Sequence, residues 1–120
     1  MLYNIYAGLN GSFGGIRYQC TCDYDTDHEA LEYAYNLACG SYESYAGLHG
    51  LKTFGDAIKE AYELGEFDKD TPQDDLEFVE YAEDIYNEYM EGWLTYSVVA
   101  ADEDPNTEKL KENNEYQLVP

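Results

Sequence analysis

An acidic row with helical spacing is the feature of this sequence best suited to chemistry. Its members are Glu77, Glu80, Asp84, Glu88 and Glu91. Because they follow one another at intervals of three or four residues, a helix would stack them along one face. With a rise of about 1.5 Å per residue, the row would place a carboxylate roughly every 5 Å over about 20 Å. No Lys or Arg lies between residues 70 and 108, so the row is suited to binding cationic groups of another molecule.

Further acids flank the row in the sequence. Asp74 and Asp75 precede it, and Asp102, Glu103 and Asp104 follow it. B-DNA carries one phosphate about every 3.4 Å along each strand. We therefore predict that the row and its flanking acids imitate a nucleic-acid backbone and contact a basic groove of another protein. The competing interpretation is an acidic surface that serves only solubility or tolerance of salt.

Charge and composition limit the possible partners. Twenty-six acidic residues against six basic ones give a formal net charge of −20. Direct binding to nucleic acid or to an anionic membrane needs Lys or Arg to neutralise phosphate, so we expect neither. A basic nucleic-acid-binding protein is the expected partner. The chain has no apolar run of about 18 residues, no secretory signal and an odd, small number of cysteines, so we expect a cytoplasmic protein.

The glycine-rich segment 8–15 has a superficial likeness to a phosphate-binding loop. Such loops precede a helix or carry a lysine. Here a β-type run follows, and the nearest base is Arg17. A hairpin turn that lets Phe13 lie over the sheet explains these glycines better.

Cysteines and histidines raise the possibility of a metal site. Cys20 and Cys22 would lie on one face of a strand, with Cys39, His28 and His49 as conceivable further zinc ligands. Structural zinc sites instead favour cysteines separated by two to four residues in a turn. The acid clusters lack a calcium-binding loop with its terminal Glu, and no serine stands in a nucleophile motif. We therefore predict buried thiols, no metal site, no cofactor, no catalytic residue and no enzymatic activity.

The first elements of the chain are predicted to be a hairpin and a helix. Two β-type runs, 2–9 and 16–24, flank Asn10-Gly11, which is a strong hairpin signal. Thr26 and Glu29 match the pattern that opens a helix, here over about 27–45. The side chains predicted to line its inner face are Leu31, Tyr35, Ala38, Tyr42 and Tyr45.

Two more helices follow. Thr53 can cap a helix that stops at Gly65, with Phe54, Ile58, Ala61 and Leu64 facing inward. Thr71 and Pro72 are suited to the N-cap and first position of a third helix, which we expect to reach Glu91. Asp74 and Asp75 would then lie in its first turn, and its apolar side would consist of Leu76, Val79, Ala82, Tyr86 and Tyr89.

These elements predict an α+β fold in a single domain over 1–120. The N-terminal β-hairpin and a later strand over 93–100 would form a small antiparallel sheet packed against three helices. Residues 116–119 are predicted to add a short edge strand. Residues 101–115 are expected to be a mobile acidic segment.

The tyrosines suggest an alternative function. The chain has 14 of them, more than one small core can enclose, and tyrosine is enriched at protein interfaces. The alternative is therefore a non-enzymatic interaction or assembly protein that uses a Tyr-rich surface for a partner or for a homodimer, with its charge serving solubility.

The chain resembles small acidic phage- or plasmid-encoded anti-defence proteins, the antirestriction and anti-CRISPR inhibitors that imitate DNA. The resemblance lies in size, in charge, and in an opening strand and turn, Tyr3 to Gly11, ahead of acidic helices. This opening is similar to the start of ArdA-type antirestriction proteins. The resemblance implies inhibition of a restriction or CRISPR nuclease in the cytoplasm of a host bacterium.

Overall fold

The computed structural model describes residues 1–119 and has an α+β architecture. Its strands are β1 (Leu2–Leu9), β2 (Gly15–Asp23), β3 (Leu94–Ala100) and β4 (Leu118–Val119). Its helices are α1 (Asp27–Tyr45), α2 (Phe54–Glu63), α3 (Leu76–Glu91) and α4 (Thr107–Glu112). The chain divides into two compact units: residues 1–41 with the described residues from 94 onward, and residues 42–93. The single domain over 1–120 stays a prediction.

The sheet has the strand order β3-β1-β2-β4. β1 pairs antiparallel with β2 and with β3, as predicted, and β4 adds a parallel edge strand beside β2. The sheet is therefore mixed. The hairpin loop contains a 3₁₀ turn, Gly11–Phe13, which ends at Gly14 with φ 97°, a left-handed conformation that glycine adopts without steric cost.

One face of the sheet packs against α1. Tyr3 and Ile5 lie opposite Cys22 and Cys20, and all four are buried in one cluster with alanines of α1. The bounds predicted for α1 are confirmed, but its predicted inner face is wrong in part. The buried side chains are Ala30, Ala34, Ala38 and Tyr42, whereas Leu31 is 39% exposed and Tyr45 is 42% exposed. Alanines four residues apart let the helix backbone approach the sheet closely, and the larger side chains lie beside the contact.

The opposite face of the sheet carries a buried polar layer. Asn4 and Thr21 are paired across the strands, and the Thr21 hydroxyl donates to Asn4 Oδ1 at 2.8 Å. A register shift between Ile5 and Tyr6 leaves one extra residue in β2. Because a bulge of this kind reverses side-chain alternation, Tyr18 comes to the same face as Thr21 and bonds to its hydroxyl at 2.7 Å.

Residues 101–115, predicted to be a mobile acidic segment, contain α4 and cover this polar layer. Leu110 of α4 is buried. The Asn4 side-chain amide donates to Asp104 Oδ2 at 2.9 Å and to Thr107 Oγ1 at 2.8 Å, and the Thr107 hydroxyl donates to the carbonyl of Ala101 at 2.6 Å. These polar contacts, which no hydropathy pattern reveals, anchor the segment. The sequence therefore predicted three helices where the described residues form four.

In the other unit, α2 begins as predicted. The Thr53 hydroxyl accepts from the Asp56 backbone N–H at 3.1 Å, and the Asp56 carboxylate accepts from the Thr53 N–H at 3.0 Å. Ala57 and Ala61 are buried. Phe54 and Leu64, predicted to face inward, are exposed by 38% and 55%, because α2 is short and contacts its neighbours mainly through its middle turns.

The start of α3 was predicted wrongly. Pro72 lies in a turn, where its carbonyl accepts from the Asp75 N–H at 3.1 Å, and the helix begins only at Leu76 with Asp75 as its N-cap. Leu76 is consequently 81% exposed rather than apolar core. The end of the helix at Glu91 is as predicted, and Phe78, Ala82 and Met90 are its buried residues.

Candidate acidic interface on helix α3

The acidic row lies on one side of α3. Asp75 fixes the start of the helix, because its carboxylate accepts the Phe78 backbone N–H at 3.1 Å. With 3.6 residues per turn, the five carboxylates fall within an arc of about 80° and extend about 21 Å along the axis. The buried residues Phe78, Ala82 and Met90 lie on the opposite side. The row members are Glu77, Glu80, Asp84, Glu88 and Glu91.

The charge of this acidic row faces solvent. All five side chains are exposed. Within residues 1–119, no Lys, Arg or His nitrogen lies within 4.0 Å of any of these five carboxylates. Lys52, in the same unit, instead pairs with Glu60 at 2.7 Å. Neighbouring carboxylates on α3 therefore repel one another without internal compensation.

The flanking acids on the N-terminal side differ from each other. Asp74 is exposed ahead of the helix. The Asp75 carboxylate is also exposed but one of its oxygens caps α3. Neither lies in the first helical turn, where the sequence placed them, because the helix begins later.

The acids after β3 belong to the other unit. Asp102 and Glu103 are exposed in the turn that follows the strand. The prediction that Asp104 contributes to an exposed acidic surface is wrong, because its side chain is only 7% exposed. Its carboxylate accepts from the Asn4 amide, the Tyr6 hydroxyl and the Asn106 backbone N–H.

The surroundings of Asp104 change the pKa of its carboxyl group. Burial acts to raise the pKa of this carboxyl, but the hydrogen bonds donated by Tyr6, Asn4 and Asn106 outweigh it and hold the pKa below its ordinary value. Burial, followed by the bond to Asp104, raises the pKa of Tyr6 to about 12. Asp104 is therefore an ionised acceptor that joins β1 to the start of α4.

A cleft beside the acidic row was missed by sequence reasoning. It is open to solvent, has a volume of about 410 Å³ and is lined by Glu43, Phe54, Glu83, Tyr86 and Asn87. Glu83 lies on α3 but outside the row, and Phe54 was predicted to be part of the core. The cleft forms because Phe54 begins α2 and Glu43 lies near the end of α1, positions that only the tertiary structure brings beside α3.

Most of the tyrosines are partly buried. Of the 14, Tyr45 and Tyr96 are exposed, by 42% and 37%, and Tyr3 and Tyr42 are buried. Tyr42 is fully buried and makes edge contacts with Tyr86 and Tyr89, with ring centroids 5.8 and 6.4 Å apart. The Tyr-rich interaction surface and the homodimer stay predictions.

The two strand cysteines lie side by side in the core, as predicted. Their sulfur atoms are 3.5 Å apart, and burial, followed by the contact with Cys20, raises the pKa of Cys22 to about 12. In the described part of the chain, no group of three or more His, Cys, Asp or Glu side chains is arranged to hold a metal ion.

Two observations concern the chain as a whole. None of the helices in the described residues combines the length and the apolar composition needed to cross a membrane. Comparison with known protein families, with characterised proteins and with solved structures finds no match to this chain.

Proposed function

We propose that this chain is an acidic inhibitor that imitates a nucleic-acid backbone and occupies the basic groove of a bacterial defence protein, a restriction or CRISPR nuclease. The observation that carries the proposal is the row of five exposed carboxylates on α3, none of them neutralised within the described residues. The row is held on a capped helix, so its geometry exists before a partner arrives. Preorganised charge of this kind favours fast, electrostatically steered association.

The charge density of the row is consistent with this role. A carboxylate about every 5 Å supplies roughly two-thirds of the linear charge of one B-DNA strand, which has a phosphate every 3.4 Å. The unit that carries the row, residues 42–93, has 15 acidic residues and three lysines. Further acids can therefore supplement the row when a groove contacts more than one face.

The repulsion within the row also favours binding to cations. Like charges three or four residues apart destabilise a helix by about 0.2–0.5 kcal/mol per pair. A soluble surface usually intersperses lysine with glutamate, which removes this cost. Here the cost is retained in the free protein and is relieved when arginine and lysine side chains of a partner approach the row. An acidic face kept only for solubility gains nothing from such alignment.

Charge reversal of the row tests the proposal. The variant Glu80→Lys, Asp84→Lys and Glu88→Lys changes the centre of the row. The matched control Glu32→Lys, Glu112→Lys and Glu115→Lys makes the same change in net charge at exposed positions of the other unit. Each protein is immobilised, exposed to bacterial lysate at low salt, and washed with a 20-base-pair DNA duplex. The proteins eluted by the duplex are identified by mass spectrometry.

The expected result is a basic nucleic-acid-binding protein that the wild type and the control variant retain and the duplex releases. The row variant should bind it on the order of 100-fold more weakly, since several close charge pairs become repulsive. Equal binding by the row variant and the wild type, or binding that the duplex does not compete with, would contradict the proposal.

A further inference from the structure

The cleft beside the row has a composition different from that of the row itself. Two carboxylates, Glu43 and Glu83, lie at the cleft with the rings of Phe54 and Tyr86 and the side-chain amide of Asn87. The residues that line the cleft include no Lys or Arg. The combination of aromatic surface, negative charge and a hydrogen-bonding amide suits an organic cation rather than a bare metal ion.

The aromatic wall of the cleft is held in place by the core. The Phe54 and Tyr86 rings meet edge to face, with centroids 5.8 Å apart and an interplanar angle of 72°. Tyr86 in turn meets Tyr42 at 5.8 Å and 88°. Tyr42 is fully buried, and its hydroxyl donates to the Lys52 carbonyl at 2.8 Å. The wall is therefore supported from behind, while Phe54 remains 38% exposed at the surface.

The same unit already contains a cation bound in this manner. The Lys52 ammonium lies 4.8 Å from the centroid of the Tyr89 ring and 2.7 Å from a Glu60 oxygen. Its pKa is raised, chiefly by the hydrogen bond to Glu60. A ring and a carboxylate thus stabilise a cationic side chain in this unit. The cleft contains two rings and two carboxylates.

We propose that the cleft binds an arginine side chain of the basic partner and so anchors it beside the acidic row. This inference rests on the proposed function, which supplies a partner rich in Arg and Lys. A guanidinium is planar, weakly hydrated and able to stack on a ring while donating to two acceptors. An ammonium can also contact a ring and a carboxylate, as Lys52 does, but it is a compact, strongly hydrated charge, and this hydration opposes its transfer into an aromatic cleft. The cleft therefore favours arginine over lysine, a selectivity that the row alone lacks.

A titration without any partner tests the cleft directly. N-acetyl-arginine amide is added to the isotopically labelled full chain, and chemical shifts are followed by NMR. N-acetyl-citrulline amide, which is neutral and nearly isosteric, and N-acetyl-lysine amide serve as comparison probes. The expected result is saturable shifts at Phe54, Tyr86 and the Asn87 side-chain amide with the arginine probe, and weaker binding of both other probes.

Variants make the assignment specific. Phe54→Leu keeps apolar volume but removes the ring, and it should weaken binding about three- to fivefold, whereas Phe54→Trp should retain it. Glu83→Gln should weaken binding similarly. Glu63→Gln, which makes the same charge change at an exposed position of the same unit outside the row and the cleft, should have little effect. Unchanged amide spectra away from the substitution show that each variant is folded.

Several results would overturn the assignment: shifts that do not saturate, equal binding of the citrulline or lysine probe, or equal losses for Glu83→Gln and Glu63→Gln. These outcomes bear on the cleft alone, because no partner is present. The charge-reversal capture experiment bears on the row, so failure of the cleft and failure of the proposed function are separable.

Discussion

Asp102 and Asp104 are near neighbours in the sequence with opposite environments. Asp102 is exposed, whereas Asp104 is buried and accepts three hydrogen bonds. Because the pKa of Asp104 is lower in the folded protein than its ordinary value, its ionised form stabilises the fold at pH values above about 3.9. That contribution is lost as the pH falls through the folded pKa.

We predict that Asp104→Asn lowers the free energy of unfolding by about 1–3 kcal/mol at pH 7, since an amide nitrogen would face donors. The difference from wild type should shrink as the pH falls below about 4. Urea denaturation at pH 7 and at pH 3 measures both effects, with Asp102→Asn as the control. A loss of stability in Asp102→Asn as large as that in Asp104→Asn would contradict this assignment.

The cysteines make a second residue-scale prediction. Cys20 and Cys22 are buried, which keeps reagents away from both thiols. Burial also raises the pKa of Cys22 to about 12, so little Cys22 thiolate is present at pH 8. Cys39 is partly exposed. In the native protein, a chromogenic disulfide reagent should modify one thiol per chain, and all three should react in urea. Rapid reaction of all three thiols without denaturant would show that the sheet–α1 core opens readily.

The sequence alone could predict the acidic row, but it could not predict which of the other acids are buried or line a cleft. Spacing along a helix is a local property, so the row could be derived from the sequence. The burial of Asp104 depends on Asn4 and Tyr6, about 100 positions away. The cleft role of Glu83 likewise depends on Phe54 of another helix. Long-range contacts of this kind leave no local pattern.

At the scale of elements, α3 depends on its cap. We predict that Asp75→Ala destabilises the protein by about 1 kcal/mol, because the Phe78 N–H loses its acceptor. Asp74→Ala removes the same charge one position earlier, where no cap is formed, and should change stability by less than about 0.5 kcal/mol. Thermal unfolding of the two variants compares them directly. Equal effects would show that charge near the helix start matters and that the cap does not.

The sequence predicted most elements and misjudged some of their faces. Capping residues and hairpin turns act over a few residues, which explains why α1, α2 and the hairpin appear where expected. The inner face of α1 was misplaced in its first half, where Leu31 and Tyr35 were expected, because helical spacing alone does not decide between adjacent positions. The structure instead packs Ala30 and Ala34 on the sheet. Helix α4 was missed because polar contacts, rather than an apolar stripe, hold its first turn.

At the scale of the molecule, the net charge of −20 opposes folding. Self-repulsion among exposed carboxylates weakens as the Debye length shrinks from about 30 Å at 0.01 M salt to about 3 Å at 1 M. We predict that raising sodium chloride from 0.01 to 0.5 M stabilises the protein by on the order of 1 kcal/mol, or a few degrees in Tm. Tetramethylammonium chloride should raise the stability equally, because screening does not depend on which cation is present, whereas specific binding of sodium would. A Tm that falls with both salts would contradict the prediction that repulsion among exposed carboxylates destabilises the fold.

The same salt should weaken binding to a basic partner, so the stability of the free protein and its affinity for a partner are expected to change in opposite directions. This opposition distinguishes a functional acidic surface from one that serves only solubility. A partner held by tyrosines would instead bind almost equally well at 0.01 and 0.5 M salt.

Under the proposed function, this protein and nucleic acid compete for one groove of the partner. The most direct measurement follows a fluorescent DNA duplex bound to the captured partner while the unlabelled protein is added. We predict complete release of the duplex, with the half-inhibitory concentration rising in proportion to the duplex concentration, and no release by the Glu80→Lys, Asp84→Lys, Glu88→Lys variant. A ternary complex, in which the duplex stays bound while the protein also binds, would contradict the account.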